Sequence, residues 1–218
     1  MFIGHYAPAF IAATHRKAPT LALLVVAAQL VDFAFFGFAL LGIEHFRLVP
    51  NFTASNWLDL YDMPISHSLL GTTLFAAGFG ALAYAITRRG MAALLAAAVV
   101  LSHWLLDFLV HAPDLTLAGG PPKLGLGLWN LPLIERPLEV VIALGALMFY
   151  AARTRPTSPK ALWALLVFAA VLGLFQTIDW FGPRTTKVDA GQPLTALLAF
   201  SVLTALAAWL QSTRAKPT

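Results

Sequence analysis

Apolar residues in this chain gather into six stretches of about twenty, broken by short polar or proline-containing segments. They cover Pro19–Ile43, His67–Thr87, Met91 to about Ala112, Leu133–Ala152, Ala161–Phe181 and Gln192–Gln211. At 1.5 Å of rise per residue, about twenty residues cross the roughly 30 Å of bilayer hydrocarbon. The pattern predicts an all-α membrane protein with about six transmembrane helices in one polytopic domain, 1–218. Met1–Thr14 is apolar and aromatic but too short to cross, and His15, Arg16 and Lys17 after it mark a water interface. A half-membrane or interfacial helix is expected there. From Arg16 back to His5 is about 16 Å of helix, so His5 reaches mid-bilayer if that segment inserts. Glu44–Ser66, with Trp57, Asp59, Tyr61 and Asp62, reads as a polar loop with an interfacial segment, and Ser66 as an N-cap for the next helix. Leu115–Leu133 is rich in Gly and Pro yet apolar for a loop, so it packs on the membrane surface or re-enters.

Composition agrees with this reading. The 218 residues are 59% hydrophobic and 11% charged, against about 25% charged in soluble domains, and mean hydropathy is +0.77. The net charge of +4 lies in short loops. Arg16, Lys17, Arg88, Arg89, Arg153, Arg155, Lys160, Arg214 and Lys216 fall on one side of a six-span topology. Arg47, Lys123, Arg136, Arg184 and Lys187 fall on the other. The imbalance predicts a multi-pass protein of a bacterial-type inner membrane with both termini cytoplasmic, and no nucleic-acid partner. No cleavable signal peptide is expected, since Met1–Ala13 lacks a charged start. With no cysteine, thiolate metal sites, disulfides and cysteine nucleophiles are excluded. No internal repeat supports an inverted-repeat transporter.

The chemistry concentrates in the third stretch, in Ser102–Asp114, SHWLLDFLVHAPD. An Asp at the centre of a membrane helix costs about 2.5–3.5 kcal/mol on insertion scales. His103, Asp107 and His111 follow one another at i, i+4 and i+8, on one helical face, about 6 Å apart per step. His103 and Asp107 are expected co-ligands of a metal, with His111 serving a second ion or an outer position. Asp32 sits inside the first span, either as a ligand or as a buried hydrogen-bond partner. Depths reckoned along the helices let Asp32, His67, His103, Asp107, His111 and Glu139 meet in the outer half of the bilayer. His and carboxylate donors without sulfur suit Zn²⁺, with Mn²⁺ or Fe²⁺ as alternatives.

Read in order, Gly4-His5, Val31-Asp32, Ser66-His67-Ser68-Leu69-Leu70, Ser102-His103 with Asp107, Leu128-Trp129 and Leu138-Glu139 resemble the membrane-bound metal-dependent hydrolases, the LexA-regulated inner-membrane family. The likeness covers roughly residues 1–145, so the last two spans, 159–211, are expected to be structural. The chain departs from the family in having a single Asp32 where an acidic cluster is usual, Asp62 in place of a histidine, and His111 in place of a small residue. A looser similarity of order links the chain to the zinc phospholipase C and P1 nuclease group and implies phosphoester hydrolysis. The resemblance implies His5, Asp32, His67, His103, Asp107 and His111 as metal ligands to one or two ions, and Asp62 or Glu139 as a further ligand or general base. The expected substrate is a membrane lipid or lipid-linked phosphoester. A proton- or ion-coupled carrier would use the same intramembrane residues, and a packed scaffold with neutral, hydrogen-bonded acids is the plainest alternative. Histidine-box oxygenases fit poorly, because the chain has six histidines in all.

Overall fold

The computed structural model describes residues 1–216. A single 3₁₀ turn, Ile3–His5, leads into α1, Tyr6–Ala13, and the chain then forms α2, Leu21–Leu40. A β-hairpin follows, β1 (His45–Leu48) paired antiparallel with β2 (Leu58–Asp62). Next come α3 (Leu69–Thr87), α4 (Gly90–Val110), α5 (Pro132–Arg153), β3 (Arg155–Pro156), α6 (Ala161–Phe181), α7 (Gly191–Ser212) and β4 (Arg214–Ala215). Strands β3 and β4 pair and tie the last helix to the α5–α6 turn.

Among the described residues, five helices are long and apolar enough to cross a membrane: α2, α3, α4, α6 and α7. Helix α5 has 22 residues, but Glu135, Arg136 and Glu139 in its first turns lower its hydropathy, and it is not one of the five. Two local expectations change. The segment between α2 and α3 is a hairpin whose short alternation, Leu58-Asp59-Leu60-Tyr61-Asp62, buries Leu60 beside Phe46. The N-cap of α3 is Ser68, whose hydroxyl accepts from the Gly71 amide at 3.0 Å. Ser66, expected in that role, turns its hydroxyl to Glu44 instead.

Helix α1 sits inside the bundle rather than on its surface. It packs on α2 and α5 and touches α4, and Tyr6 and Phe10 are fully buried. The Phe10 ring meets Phe168 of α6 edge-on at 5.5 Å. The segment from Ile3 to Ala13 rises about 16 Å, so it fills only the half of the bundle away from the hairpin. A helix start leaves amides without partners, and here buried side chains supply them. Glu139 Oε1 accepts from the Phe2 and Gly4 amides at 2.5 and 3.1 Å, and Gln176 Oε1 accepts from Ile3 at 3.2 Å.

Helices α3 and α4 pack through small residues, as membrane helices do when backbones approach closely. Ala76 and Ala83 of α3 and Ala92 and Ala96 of α4 are buried. A Cβ on Gly80 would lie 3.2 Å from both the Ala93 carbonyl and the Ala97 Cβ, whereas one on Gly78 would meet nothing within 4 Å. Both sites share the helical penalty of a branched side chain. Gly80→Val is therefore expected to destabilise the protein by about 1–3 kcal/mol more than Gly78→Val. Thermal unfolding of the two variants in the same detergent measures the difference.

Candidate metal centre

Four elements converge on Asp107. Helix α4 carries Asp107 and His103 one turn apart, both 1% exposed. At the end of α4 the backbone turns extended at His111, whose amide still donates to the Asp107 carbonyl at 2.8 Å. Helix α2 contributes Asp32, the turn before α3 contributes His67, and the 3₁₀ turn ahead of α1 contributes His5. His103 Nε2 lies 3.0 Å from Asp107 Oδ2 and 3.5 Å from Asp32 Oδ1. His67 Nε2 lies 3.6 Å from Asp107 Oδ2 and 3.4 Å from Asp32 Oδ1. On the other oxygen, Oδ1, His5 Nε2 stands at 3.0 Å, His111 Nε2 at 3.3 Å and the Met1 ammonium at 2.9 Å. All six residues expected as ligands are thus brought together.

The far nitrogens of three rings settle where their protons sit. His103 Nδ1 is 2.8 Å from the Ala28 carbonyl, which can only accept, so Nδ1 carries the proton. His111 Nδ1 is 2.9 Å from the Asp114 carboxylate and donates likewise. Ser66 Oγ gives its own proton to Glu44 Oε2 at 2.5 Å and so accepts from His67 Nδ1 at 2.9 Å. In a neutral ring the other nitrogen, Nε2, then holds a lone pair. In all three residues that lone pair faces carboxylate oxygen. Lone pair against anion is repulsive unless a cation lies between, a proton or a metal. A histidine whose far N–H is tied to a carboxylate or carbonyl is the usual arrangement around a metal.

Contact geometry points the same way. His5 Nε2 and His103 Nε2 lie within 3.0 Å of Asp107 oxygens, yet both nitrogens and Asp107 Oδ2 lack an aligned hydrogen bond. Such atoms are placed for a cation lying between nitrogen and oxygen rather than for hydrogen bonds to each other. Ligands about 2.0–2.2 Å from a metal stand roughly 3.0–3.6 Å from one another at tetrahedral or octahedral angles, which is the spread found here. The donor set therefore fits a divalent ion.

A cavity of about 600 Å³ opens from the cluster toward the hairpin end of the bundle. Asp107, His67 and Asp32 lie at its deep end, Glu135 and Glu139 along one side, and Phe36, Phe175 and Phe200 among its apolar walls. Helices α6 and α7, expected to be structural, thus line the cavity. Glu139 is buried there. Asp62 is not part of the centre: it is half-exposed and pairs with His45 at 2.7 Å on the hairpin, the cross-strand partner that the pairing imposes. Asp59 is likewise engaged by Arg47 at 2.6 Å. Asp179 lines the cavity and accepts from Gln176 at 3.3 Å.

Sequence reasoning missed Glu44 and gave Ser66 a capping role instead of its place between Glu44 and His67. Glu44 is 1% exposed and also accepts from the Ile65 and Ser66 amides at 2.7 and 2.8 Å, so it shapes the turn that presents His67. The only signal was a lone carboxylate at the end of an apolar run. Trp104 steadies the same turn by donating to the His67 carbonyl at 3.1 Å. The chain matches no family model, no curated protein and no solved structure.

Glu44→Gln and Ser66→Ala are each expected to weaken divalent-metal binding by about 10–100-fold, the usual effect of losing an outer hydrogen-bond partner of a ligating histidine. Asp62→Asn is expected to leave binding unchanged. Competition of the purified protein with a chromogenic zinc chelator gives all three affinities.

Proposed function

We propose that this chain is a multi-pass membrane hydrolase with a divalent-metal centre, zinc by donor chemistry, that cleaves a phosphoester in a lipid or lipid-linked substrate. In this reading α5 is a sixth crossing, both termini face the cytoplasm of a bacterial-type inner membrane, and the chain belongs with the membrane-bound metal-dependent hydrolases it resembles. The observation that carries the proposal is the set of Nε2 lone pairs of His67, His103 and His111 turned onto the Asp32 and Asp107 carboxylates at 3.0–3.6 Å.

A divalent ion held by these donors supplies Lewis acidity and lowers the pKa of a bound water toward about 7. The protein does the rest. Asp32, His67, His103 and Asp107 fix the position of the centre, and Asp114, Ser66 and the Ala28 carbonyl fix the rings. Glu139, buried at the cavity edge, takes the proton released from the attacking water and returns it to the leaving oxygen. The apolar wall formed by Phe36, Phe175 and Phe200 receives an acyl or prenyl chain and keeps bulk water from the reacting phosphorus. Helices α5 and α6 make little direct contact. Below the cluster α1 fills the space between them, and at the cavity Arg136 of α5 lies over the Trp180 and Phe181 rings of α6 at 5.5 and 5.1 Å, so a lipid entering sideways parts that contact.

Hydrolysis is favoured over a continuously open channel by the position of α1: a channel needs a path from both faces at once, and the half of the bundle away from the hairpin is packed with Tyr6, Phe10 and Phe168. The plain scaffold reading needs a proton on each facing nitrogen, and it gives no reason for His5 Nε2, His103 Nε2 and Asp107 Oδ2 lacking an aligned hydrogen bond.

Purified protein is expected to carry zinc, and stripping it with a chelator to abolish release of phosphate or head group from a panel of phospholipids and prenyl phosphates in mixed micelles. Metal-free wild type under zinc-replete expression would overturn the proposal. Glu139→Gln keeps an acceptor for the Phe2 and Gly4 amides and is expected to retain metal while losing about 10²–10⁴-fold in turnover. Unchanged turnover in that variant would remove Glu139 from the chemistry.

A further inference from the structure

The His5 and His103 rings are stacked, parallel to within 4° and with centroids 3.7 Å apart. An imidazole lone pair lies in the plane of its ring, so a metal sits in that plane, about 2.0–2.1 Å from the nitrogen. An ion shared by two parallel rings would lie roughly 1.8 Å out of each plane, half of 3.7 Å, almost its whole bond length off the lone-pair direction. Although His5, His103 and Asp107 are close enough together to suggest one ion, ring geometry forbids it. The two rings aim instead at different oxygens of one carboxylate: His5 Nε2 at Asp107 Oδ1 and His103 Nε2 at Oδ2, each 3.0 Å away.

The remaining donors divide along the same line. His67 Nε2 is on the Oδ2 side at 3.6 Å, with Asp32 Oδ1 3.4 and 3.5 Å from the His67 and His103 nitrogens. His111 Nε2 is on the Oδ1 side at 3.3 Å. We infer that the centre holds two divalent ions bridged by the Asp107 carboxylate, one bound by Asp32, His67 and His103, the other by His5 and His111. Two-metal hydrolytic sites hold their ions about 3.5–4 Å apart, and the spacing of the stacked rings matches that separation. This inference rests on the metal-centre reading and adds its nuclearity.

The two positions differ in strength. The first has two carboxylates and two imidazoles. The second has two imidazoles and a share of Asp107, and the Met1 ammonium already contacts that oxygen at 2.9 Å. An ion there has to displace a positive charge, so the second position fills after the first.

The test is metal stoichiometry of the full chain in detergent, by elemental analysis after zinc saturation and gel filtration, with Mn²⁺-loaded protein for electron paramagnetic resonance. Two ions per chain, filling in two steps, and a spin-coupled manganese pair are expected for the wild type. His5→Gln and His111→Gln, on separate segments, are each expected to leave one ion and an uncoupled six-line signal. One ion per saturated wild-type chain, or two uncoupled ions, would overturn the bridged pair while leaving the hydrolase proposal standing. No ion at all would overturn both. The wild-type measurement decides the matter even if a variant does not fold.

Discussion

A single buried carboxylate organises this molecule. Asp107 is 1% exposed on a helix that is apolar apart from Ser102 and His103, and an ion taken out of water is unfavourable unless it is paired and hydrogen-bonded. Here the nitrogens of Met1, His5, His67, His103 and His111 all lie within 3.6 Å of its two oxygens. Removing Asp107 would leave these groups without the anion they surround. Keeping it obliges three segments, the chain start, the turn before α3 and α4 itself, to bring nitrogen to its two oxygens, and most of the architecture around the centre follows from that obligation.

The clearest consequence is the position of the chain start. An N-terminal segment with free amides has no place in hydrocarbon, where each unsatisfied backbone group costs several kcal/mol. It is held inside because Glu139 and Gln176 accept from Phe2, Gly4 and Ile3. The same insertion places His5 and divides the bundle into two unlike halves. One half is packed solid by Tyr6 and Phe10 against α5 and α6. The other is left as the cavity that begins at Asp32, His67 and Asp107. The depth of the cavity, in this protein, is set by where a short helix begins.

A second layer holds the ligands themselves. The His67 turn is not stabilised by its own sequence alone. It depends on Glu44, twenty-three residues earlier, which gathers two amides and the Ser66 hydroxyl. The His111 ring is held by Asp114 on one edge and packs on Trp129 at 4.1 Å. Each ring is thereby committed to presenting Nε2 toward the Asp107 carboxylate. The hairpin closes over this region, with Phe46 and Leu60 in one apolar cluster with Phe35, Val110 and Trp129.

Hydropathy and helical spacing alone determined much of this protein. The long helices follow from runs of about twenty apolar residues, because a backbone in lipid must satisfy its hydrogen bonds within the helix. His103 and Asp107 share a face because of the 3.6-residue turn, and a costly Asp in such a run marks a site. The hairpin was less legible, since its alternation is five residues long and bounded by polar loop. Asp62 reads as a further ligand or general base because it stands where the resembled family often has a histidine, but strand register sets it opposite His45. Glu44, the use of α6 and α7 as cavity walls, and the stacking of His5 on His103 rest on contacts between residues far apart in the chain. Local pattern reports which side chains leave water, and only the packing of one helix against another decides which of them meet.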